Sequence, residues 1–291
     1  MQAFVAVADL QGFAPAARRL GMSPSGLTRL VAALEERLGA RLLQRTTRSV
    51  TLTDAGSRYL ERARRILADV EEAESAAEGE RIRPGGRLVV SAPVGFGRLH
   101  VSPVVSAYLA RYPEVAADLR LSDRMVNLVE DGIDLAVRIG HLPDSTLVAR
   151  QVGEMRRIVV ASRDYLKRRG EPNAPQEITS HDTIQFGAMS ASPDWHFVKD
   201  GHDIRIAVTP RFSTNSADAA IHYAEQGGGL TRVMAYQAAA SLKAQRVQIV
   251  LEKFELPAVP IHVVYPTSRL LSAKVRTFID LVTETTDWHF R

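Results

Sequence analysis

The stretch "SPSGLTRLVAALEERLG" at residues 23–39 joins a short polar opening to an apolar stripe with helical spacing, and this join decides the fold of the N-terminal region. Ser23 is a favourable N-cap, and Pro24 suits the first helical position because it has no N–H to leave unpaired. At about 100° per residue, one arc that we expect to face a core collects Leu27, Leu30, Val31, Leu34 and Leu38. The opposite face carries hydrogen-bonding side chains near its N-terminus: Ser25, Thr28 and Arg29. Such a face is either solvated, as on most amphipathic helices, or positioned to bind another molecule.

The segments on either side favour the second interpretation. Upstream, "GFAPAARRLGMS" at 12–23 predicts a short helix that ends near Gly21, a residue able to adopt positive φ. Its apolar face is formed by Phe13, Ala16, Ala17 and Leu20. Downstream, "RLLQRTTRSVTLTDAG" at 41–56 predicts a small β-hairpin with Arg45 and Arg48 near its tip. Helix, turn, helix and basic wing is a DNA-binding arrangement, in which the second helix enters the major groove.

Residues 4–56, "FVAVADLQGFAPAARRLGMSPSGLTRLVAALEERLGARLLQRTTRSVTLTDAG", resemble the N-terminal domain of the LysR-type transcriptional regulators. Two later segments, "DGIDLAVRIG" at 131–140 and "YPTSRLLSAKVRTFIDLV" at 265–282, resemble the effector domain of the same family. The family usually has more residues before its first helix, so we expect Met1 to lie partway into that helix. It also usually has Ser at the position of Gly12 and Pro at that of Met234.

The resemblance implies an N-terminal all-α winged helix-turn-helix and a long linker helix, followed by a two-lobed α/β periplasmic-binding-protein-like effector domain. The expected boundaries are 1–54, 55–82 and 86–291, with lobe one at about 86–161 plus 265–291 and lobe two at about 162–264. It also implies a DNA-binding set of Ser23, Pro24, Ser25, Thr28, Arg29, Arg45 and Arg48. The expected partners are double-stranded promoter DNA, a small-molecule effector, RNA polymerase and further copies of the chain, as a homodimer that assembles to a tetramer.

Composition agrees with a DNA-binding N-terminus. The chain has 291 residues, 45% of them hydrophobic and 24% charged, which suits a soluble protein of two domains. Residues 1–65 hold 11 Arg and 5 acidic residues, whereas the remainder holds 26 basic and 28 acidic residues. Arginine suits bidentate guanine and phosphate contacts. Because the chain has no Cys, no signal-peptide pattern and no apolar run of membrane length, we expect a cytoplasmic protein without membrane contact.

The segment 55–82 predicts one long helix, which "RPGG" at 83–86 ends. Apolar residues alternate spacings of four and three, and a heptad seam of this kind favours pairing with a second copy. The seam consists of Tyr59, Ala63, Ile66, Val70, Ala73 and Ala77. The same pattern also fits a helix that packs on its own domain, and the family's linker helix is its dimerisation element.

From Arg87 onward strand patterns alternate with helix patterns. "RLVVSAP", "AADLRLSD" and "IDLAVRIG" predict strands, and "HVSPVVSAYLARYP" at 100–113 and "MVNLVEDG" at 125–132 predict helices. Alternation of this kind implies parallel strands with covering helices, and ligands bind beyond the carboxyl ends of such strands. "RIVVAS" at 157–162 and "PIHVVYP" at 260–266 are further strands, each able to cross between the lobes.

We expect the effector in the cleft between the lobes, and we expect it to be anionic. "SAPVGFG" at 91–97 joins a strand to a helix, so its N–H groups can bind an anion, although Pro93 and the glycines can equally just shape a turn. Arg138 can bind the effector or pair with Asp134, while Asn215 and the glycines at 227–231 would face the cleft from lobe two. The candidate effector-binding residues are Ser91, Pro93, Val94, Gly95, Phe96, Arg138 and Asn215.

The sequence gives little support for a catalytic function. The chain lacks G-x-S-x-G, H-E-x-x-H, a P-loop and a complete G-x-G-x-x-G, and its eight His are scattered; His262, within a strand, fits a structural role. We therefore predict no enzyme, no cofactor and no metal site, but a DNA-binding transcriptional regulator modulated by a small molecule. The alternatives are a solute-binding protein without DNA function and a cofactor-dependent enzyme.

Overall fold

The computed structural model describes residues 1–45, 50–77, 84–142, 145–187, 194–267 and 272–290, without the side chains of 45, 61, 65, 68, 69 and 71–77. The chain divides into two compact units. The first is Met1–Gly86 with Leu271–Lys274, and the second is Arg87–Leu270 with Val275–Arg291.

The N-terminal unit is built from helices and one two-stranded wing. Its elements are α1 (Gln2–Asp9), α2 (Phe13–Arg19), α3 (Pro24–Leu38), β1 (Leu43–Arg45), β2 (Val50–Leu52) and α4 (Asp54–Ala77). The predicted signals at the start of α3 are confirmed, because Ser23 Oγ accepts a hydrogen bond from the Gly26 N–H at 3.1 Å and Pro24 is the first helical residue. The helix ends at Gly39, which has φ 62°. Gly21, between α2 and α3, has φ 64°, which permits the tight turn that the sequence predicts.

The buried face of α3 is narrower than the sequence predicts. Leu27, Val31 and Leu34 are at most 5% exposed and pack in a core with α1, α2 and the wing. Leu30 and Leu38, however, are 50% and 41% exposed, so their predicted core positions are wrong. The neighbouring helices are short and cover only the centre of the apolar arc, which leaves its edges in solvent.

Close contacts hold the start of the wing beside α3 and α4. Glu35 Oε1 accepts hydrogen bonds from the backbone N–H groups of Leu42 and Leu43, at 2.8 and 3.0 Å. Gly56, in the first turn of α4, passes so close to Leu42 that a side chain there would overlap its carbonyl group. The strands β1 and β2 pair antiparallel, as predicted, while the hairpin tip at 46–49 lies outside the described residues.

The helix α4 confirms the predicted long linker helix as far as Ala77, and residues 78–83 lie outside the described part of the chain. Its first turns pack on α1, where the Tyr59 ring meets Phe4 edge-on at 5.5 Å. Asp9 and Arg64 form an ion pair between the same two helices.

The C-terminal unit contains two mixed sheets, each with covering helices, and so confirms the two-lobed α/β prediction. Its helices are α5 (Val94–Phe96), α6 (Ser102–Arg111), α7 (Arg163–Arg169), α8 (Ala217–Glu225), α9 (Ala235–Lys243) and α10 (Ala273–Thr285). A π-helical turn, Gly97–Val101, joins α5 to α6, and Pro175–Ser180 and Glu252–Phe254 are 3-10 turns.

Six strands form the sheet of lobe one, in the order β15-β6-β14-β5-β3-β4. These are β3 (Gly86–Ala92), β4 (Val115–Leu121), β5 (Leu135–Ile139), β6 (Leu147–Met155), β14 (Val259–Pro266) and β15 (Trp288–Phe290). Five strands form the sheet of lobe two, in the order β11-β8-β12-β7-β13. These are β7 (Arg157–Ala161), β8 (Thr183–Phe186), β11 (Pro210–Thr214), β12 (Leu230–Met234) and β13 (Gln248–Val250), with a hairpin of β9 (Trp195–Lys199) and β10 (His202–Ile206) beside them.

The two sheets correct the predicted lobe boundaries. β7 belongs to lobe two and β14 to lobe one, so the chain crosses at Arg156 and just before Val259 rather than at 161 and 264. Parallel pairing is also only partial, because β14 runs antiparallel to both β5 and β6. Both crossing strands are mostly apolar, and their sequences carry no signal for the sheet that they join.

The predicted helix at 125–132 is wrong, because this segment forms turns. The Asn127 side chain accepts hydrogen bonds from the N–H groups of Val129 and Glu130, and Gly132 has φ 59°. A side-chain amide that bonds nearby backbone groups competes with helix formation.

Candidate nucleic-acid interface and ligand cavity

The N-terminal end of α3 presents a row of polar side chains to solvent. Ser25 and Arg29 are exposed and Thr28 is half-buried, while Leu27 on the opposite side is fully buried. The core therefore fixes the rotation of the helix about its axis. Because the helix begins at Pro24, this row lies at the end where backbone N–H groups and the helix dipole favour phosphate.

The two hydroxyl groups of this row have local partners. Thr28 Oγ1 donates to the Pro24 carbonyl oxygen at 2.8 Å, which leaves its oxygen as an acceptor and its methyl group as an apolar contact. Ser25 Oγ lies 3.3 Å from Ser23 Oγ. In the wing, the Arg45 side chain and all of Arg48 lie outside the described residues.

The predicted dimerisation seam of α4 divides into two parts. Ala63 is fully buried, and Tyr59 is partly buried against the core of its own unit. Ile66 and Val70 are 47% and 46% exposed. The Ala73 side chain lies outside the described residues.

In the C-terminal unit a cavity of about 690 Å³ opens between the two lobes. Three of the predicted effector-binding residues line it: Val94, Gly95 and Asn215. The remaining lining residues are Arg98, Leu99, Asp123, Phe186, Ser216, Ala217, Asp218, Ile221, His222, Glu225, Tyr236, Gln237, Ala240 and Ser241. The volume suits a small molecule of metabolite size.

The predicted anion position is already occupied by a carboxylate of the chain itself. Asp123, which follows β4, accepts a hydrogen bond from the Val94 N–H at 3.0 Å. An anionic group at that N–H would have to displace Asp123 and would meet its negative charge. This contact argues against the predicted anion at the Val94 N–H.

Further acidic side chains line the cavity. Asp218 lies 3.7 Å from Arg98, and Glu225 accepts a hydrogen bond from Arg246 at 2.8 Å. Burial raises the pKa of Glu225, but hydrogen bonds from Ser241 and Arg246 outweigh this and hold the pKa below its ordinary value. Glu225 is therefore ionised near neutral pH.

Tyr236 forms part of the cavity wall from α9. Burial raises the pKa of its hydroxyl to about 12, so the group is neutral, and it accepts a hydrogen bond from Gln237 Nε2 at 3.3 Å. A side chain at Gly95 would crowd this hydroxyl, because its Cβ would lie 3.2 Å from the oxygen. Gly95 thus permits the close approach of α5 to α9.

Four other predicted effector-binding residues do not line the cavity: Ser91, Pro93, Phe96 and Arg138. Phe96 is fully buried in an aromatic cluster with Tyr236 and Trp288. The glycines at 227–231 also lie away from it, and Gly227 follows the end of α8 with φ 79°, as in the alternative prediction of a helix terminus.

Sequence reasoning missed Asp123, Asp218 and Tyr236. Asp123 follows the carboxyl end of a strand, as Val94 does, so the rule that selected "SAPVGFG" at 91–97 could have found it. The other two lie on α8 and α9, whose approach to lobe one no local pattern indicates. Within the described residues, no group of three His, Cys, Asp or Glu could hold a metal ion, and no helix has the length and apolarity to cross a membrane.

Both units of the chain match known protein families. The family model described as "LysR substrate binding domain" matches residues 81–287, and "Bacterial regulatory helix-turn-helix protein, lysR family" matches residues 1–57. An HTH-type transcriptional regulator of Xanthomonas campestris is 37% identical over 283 residues, covering 96% of this chain and 82% of the relative. An HTH-type transcriptional repressor of Pseudomonas aeruginosa is 32% identical over 286 residues, covering 98% and 90%.

Two solved structures match this chain over nearly its full length. CrgA, a LysR-type transcriptional regulator from Neisseria meningitidis, is 29% identical with a TM-score of 0.62, covering 97% of this chain and 96% of that one. The Vibrio cholerae virulence activator AphB is 25% identical with a TM-score of 0.62, covering 97% of both chains. Together with the exposed polar row of α3 and the two-lobed unit, these matches show that the chain belongs to the LysR family: it is a DNA-binding transcriptional regulator modulated by a small molecule, not an enzyme.

Proposed function

We propose that α3 binds the major groove of an operator near a promoter, with Thr28 and Arg29 contacting base edges and Ser25 contacting phosphate. The observation that carries this proposal is the fixed rotation of α3, in which Leu27 is buried and Ser25 and Arg29 are exposed. Arginine binds guanine in two hydrogen bonds, and the threonine methyl group suits the methyl group of thymine. Ser23 and Pro24 act by starting the helix at this position.

Arg45 and Arg48 contribute from the wing, to the DNA backbone or the minor groove. The excess of arginine over acidic residues in residues 1–65 supplies the favourable electrostatic attraction to phosphate. We propose that the chain binds DNA in the cytoplasm and that RNA polymerase is a further partner.

The exposed part of the seam supports the proposal that the chain forms a dimer. Ile66 and Val70 are one helical turn apart on α4, and a second copy of α4 would cover both. Two half-sites then bind one dimer, so the operator is an interrupted palindrome, and a pair of dimers gives a tetramer.

Selection of genomic fragments on the full-length chain tests this proposal. We expect enrichment of fragments that share a two-fold symmetric sequence, with half-sites whose spacing reflects the helical repeat of DNA. Enrichment of fragments without a shared or symmetric sequence would contradict sequence-specific recognition by a symmetric assembly.

The cavity between the lobes is the site where we place the effector. A ligand that touches both lobes binds one arrangement of them better than another, which is the requirement for shifting a conformational equilibrium. Since Asp123 and Asp218 line the cavity, the group of the effector nearest to them is a hydrogen-bond donor rather than an anion.

A panel of small metabolites, screened by thermal shift on the full-length chain, tests this assignment. Asn215→Ala should weaken the response to any stabilising compound, because Asn215 is exposed and lines the cavity. Asn173→Ala is the matched control, since Asn173 is exposed and is not among the lining residues. Equal responses of both variants and the unaltered chain would place the effector elsewhere.

A further inference from the structure

The wall of the cavity between the lobes is predominantly acidic. Its lining includes three carboxylates, Asp123, Asp218 and Glu225, whereas Arg98 is the only arginine or lysine among the described lining residues. Asp123 and Arg98 belong to lobe one, and Asp218 and Glu225 lie on α8 of lobe two. Glu225 already pairs at 2.8 Å with Arg246, which lies outside the lining. Asp123 and Asp218 are therefore the acidic groups that a ligand can engage, one from each lobe.

Asp123 has acceptor positions to spare. Its Oδ1 accepts a hydrogen bond from the Val94 N–H at 3.0 Å, and the residue is exposed. A carboxylate group offers about four acceptor positions on its two oxygen atoms. One backbone N–H uses one of them, so the N–H groups of a bound cation can use others without breaking the bond to Val94.

Tyr236 lies within reach of both carboxylate charges. Burial raises the pKa of its hydroxyl to about 12, the negative charges of Asp123 and Asp218 add to this, and hydrogen bonds with Gln237 and the Phe96 backbone oppose it. The same hydroxyl lies against α5, where a Cβ atom at Gly95 would be 3.2 Å from its oxygen. Both carboxylates thus act on the part of the wall where α9 of lobe two meets α5 of lobe one.

Apolar side chains complete the wall. Val94 and Leu99 line the cavity from lobe one and are 44% and 43% exposed, and Phe186 lines it from lobe two. Water against such surfaces is unfavourable, and contact with an apolar group replaces it. A ligand that fits this wall therefore joins a cationic group to an apolar body.

We propose that the effector is an organic amine, with an ammonium group that binds Asp123 and Asp218. Its apolar body lies against Val94 and Leu99. An ammonium group has three N–H donors and no acceptor, which suits contact with two carboxylates. Because the two carboxylates belong to different lobes, the amine binds the arrangement that brings them together better than any other. This inference rests on the proposed function in one respect, that the cavity holds the effector.

A carboxylate effector is the contrary case. Its only guanidinium partner among the described lining residues is Arg98, which lies 3.7 Å from Asp218. An anion at Arg98 would bring a second negative charge close to that of Asp218. Like charges at such distances repel each other, so the wall discriminates against anions.

Probes that share an apolar body and differ in their head group test the proposal. Phenethylamine, phenethyl alcohol and phenylpropionate share a phenethyl group, and hexylamine, hexanol and heptanoate share a hexyl group. Near neutral pH each amine is a cation and each carboxylate an anion. In both sets we expect the amine to bind at least about ten-fold more tightly than the carboxylate, with the alcohol between them.

A single cysteine reports where each probe binds, because the chain has none of its own. Ala239 and Ala240 are neighbours on α9 and both are exposed, but only Ala240 lines the cavity. In the full-length Ala240→Cys variant, a bound probe should protect the thiol from alkylation by neutral iodoacetamide, and the concentration that halves the rate gives the affinity. The thiol of the Ala239→Cys variant should stay unprotected. Thermal shift of the unaltered chain repeats the ranking of the probes without any substitution.

Asp123→Asn keeps an acceptor for the Val94 N–H but removes the charge. It should weaken amine binding about ten-fold or more, the usual effect of losing a hydrogen bond between charged groups, and weaken alcohol binding much less. Asp203→Asn is the matched control, because Asp203 is exposed and is not among the lining residues.

An amine affinity that does not exceed the carboxylate affinity in either set would overturn the proposal, and this includes the case in which no probe binds. Equal amine affinities of the Asp123→Asn and Asp203→Asn variants would overturn it as well. Protection of the Ala240→Cys thiol by a carboxylate probe alone would refute the amine but leave the cavity as the effector site. The metabolite screen with Asn215→Ala and the selection of operator fragments judge the proposed function separately.

Discussion

Two serines at the start of α3, Ser23 and Ser25, allow the stability of the helix to be tested separately from its contacts with DNA. Ser23 Oγ accepts a hydrogen bond from the Gly26 N–H at 3.1 Å, which caps the helix, whereas Ser25 Oγ is exposed and caps nothing. Ser23→Ala and Ser25→Ala each delete one oxygen atom from the same turn. Each variant is therefore the matched control for the other.

The expected loss of helix stability follows from the N-cap that Ser23 provides. Loss of a serine N-cap costs about 1 kcal/mol of helix stability, which corresponds to roughly five-fold faster local opening. Ser25→Ala should cost little, because it removes only a 3.3 Å contact between two exposed hydroxyl groups, Ser25 Oγ and Ser23 Oγ, and because alanine has a higher helix propensity than serine. If Ser25 donates to a phosphate group, however, its loss weakens binding to any duplex about ten-fold, independently of sequence.

Hydrogen exchange of the α3 amides, followed in the absence of DNA, measures the loss of helix stability. Binding to a random-sequence duplex measures the loss of DNA affinity. We expect Ser23→Ala to exchange about five times faster in the first turn and to lose at most a similar factor in affinity. We expect Ser25→Ala to exchange at the unaltered rate and to bind DNA more weakly than Ser23→Ala. Faster exchange in Ser25→Ala, or equal DNA affinity of Ser25→Ala and the unaltered chain, would refute this division of roles.

Three further predictions concern packing, assembly and pH. Leu27→Ala should destabilise the N-terminal unit by about 2–5 kcal/mol in urea denaturation, because Leu27 is fully buried, whereas Leu30→Ala should change it by less than about 0.5 kcal/mol. The double variant Ile66→Asp, Val70→Asp should sediment as a monomer with the fold intact, since both side chains are exposed in the single chain; an intact dimer would move the interface elsewhere. Burial raises the pKa of Asp118, but hydrogen bonds from Arg87 and Arg120 outweigh burial, so the pKa lies below its ordinary value. The contribution of Asp118 to stability is therefore present above about pH 4 and is lost as the pH falls through the folded-state pKa. In acid denaturation, Asp118→Asn should therefore lessen the loss of stability at low pH, and an unchanged pH profile would contradict this.

Local signals predicted α3 because each of them acts within a few residues. Serine caps the helix and proline starts it through backbone chemistry that needs no distant partner. The positions of Leu30 and Leu38 depend instead on how far α1 and α2 extend over the helix face. A helical wheel gives the direction of a side chain but not the area that its neighbours cover.

The cavity shows a second limit of sequence reasoning. The rule that ligands bind beyond the carboxyl ends of strands placed Val94 and Asn215 correctly in its wall. It could not show that Asp123 satisfies the Val94 N–H, because these residues are 29 positions apart and meet only when β3 and β4 pair. Ser91 and Arg138 were predicted there as well, but neither lines the cavity.

The most direct test of operator recognition by α3 is a base-by-base affinity profile of a selected operator, measured for Arg29→Ala and for Arg37→Ala. Both arginines are exposed on α3, but Arg29 lies in its N-terminal half and Arg37 in its last turn. We predict that Arg29→Ala loses about 1–3 kcal/mol on the preferred operator and all discrimination at one position of each half-site, while Arg37→Ala keeps the full profile. A profile that Arg29→Ala leaves unchanged, or that both variants alter equally, would contradict the assignment of α3 as the recognition helix.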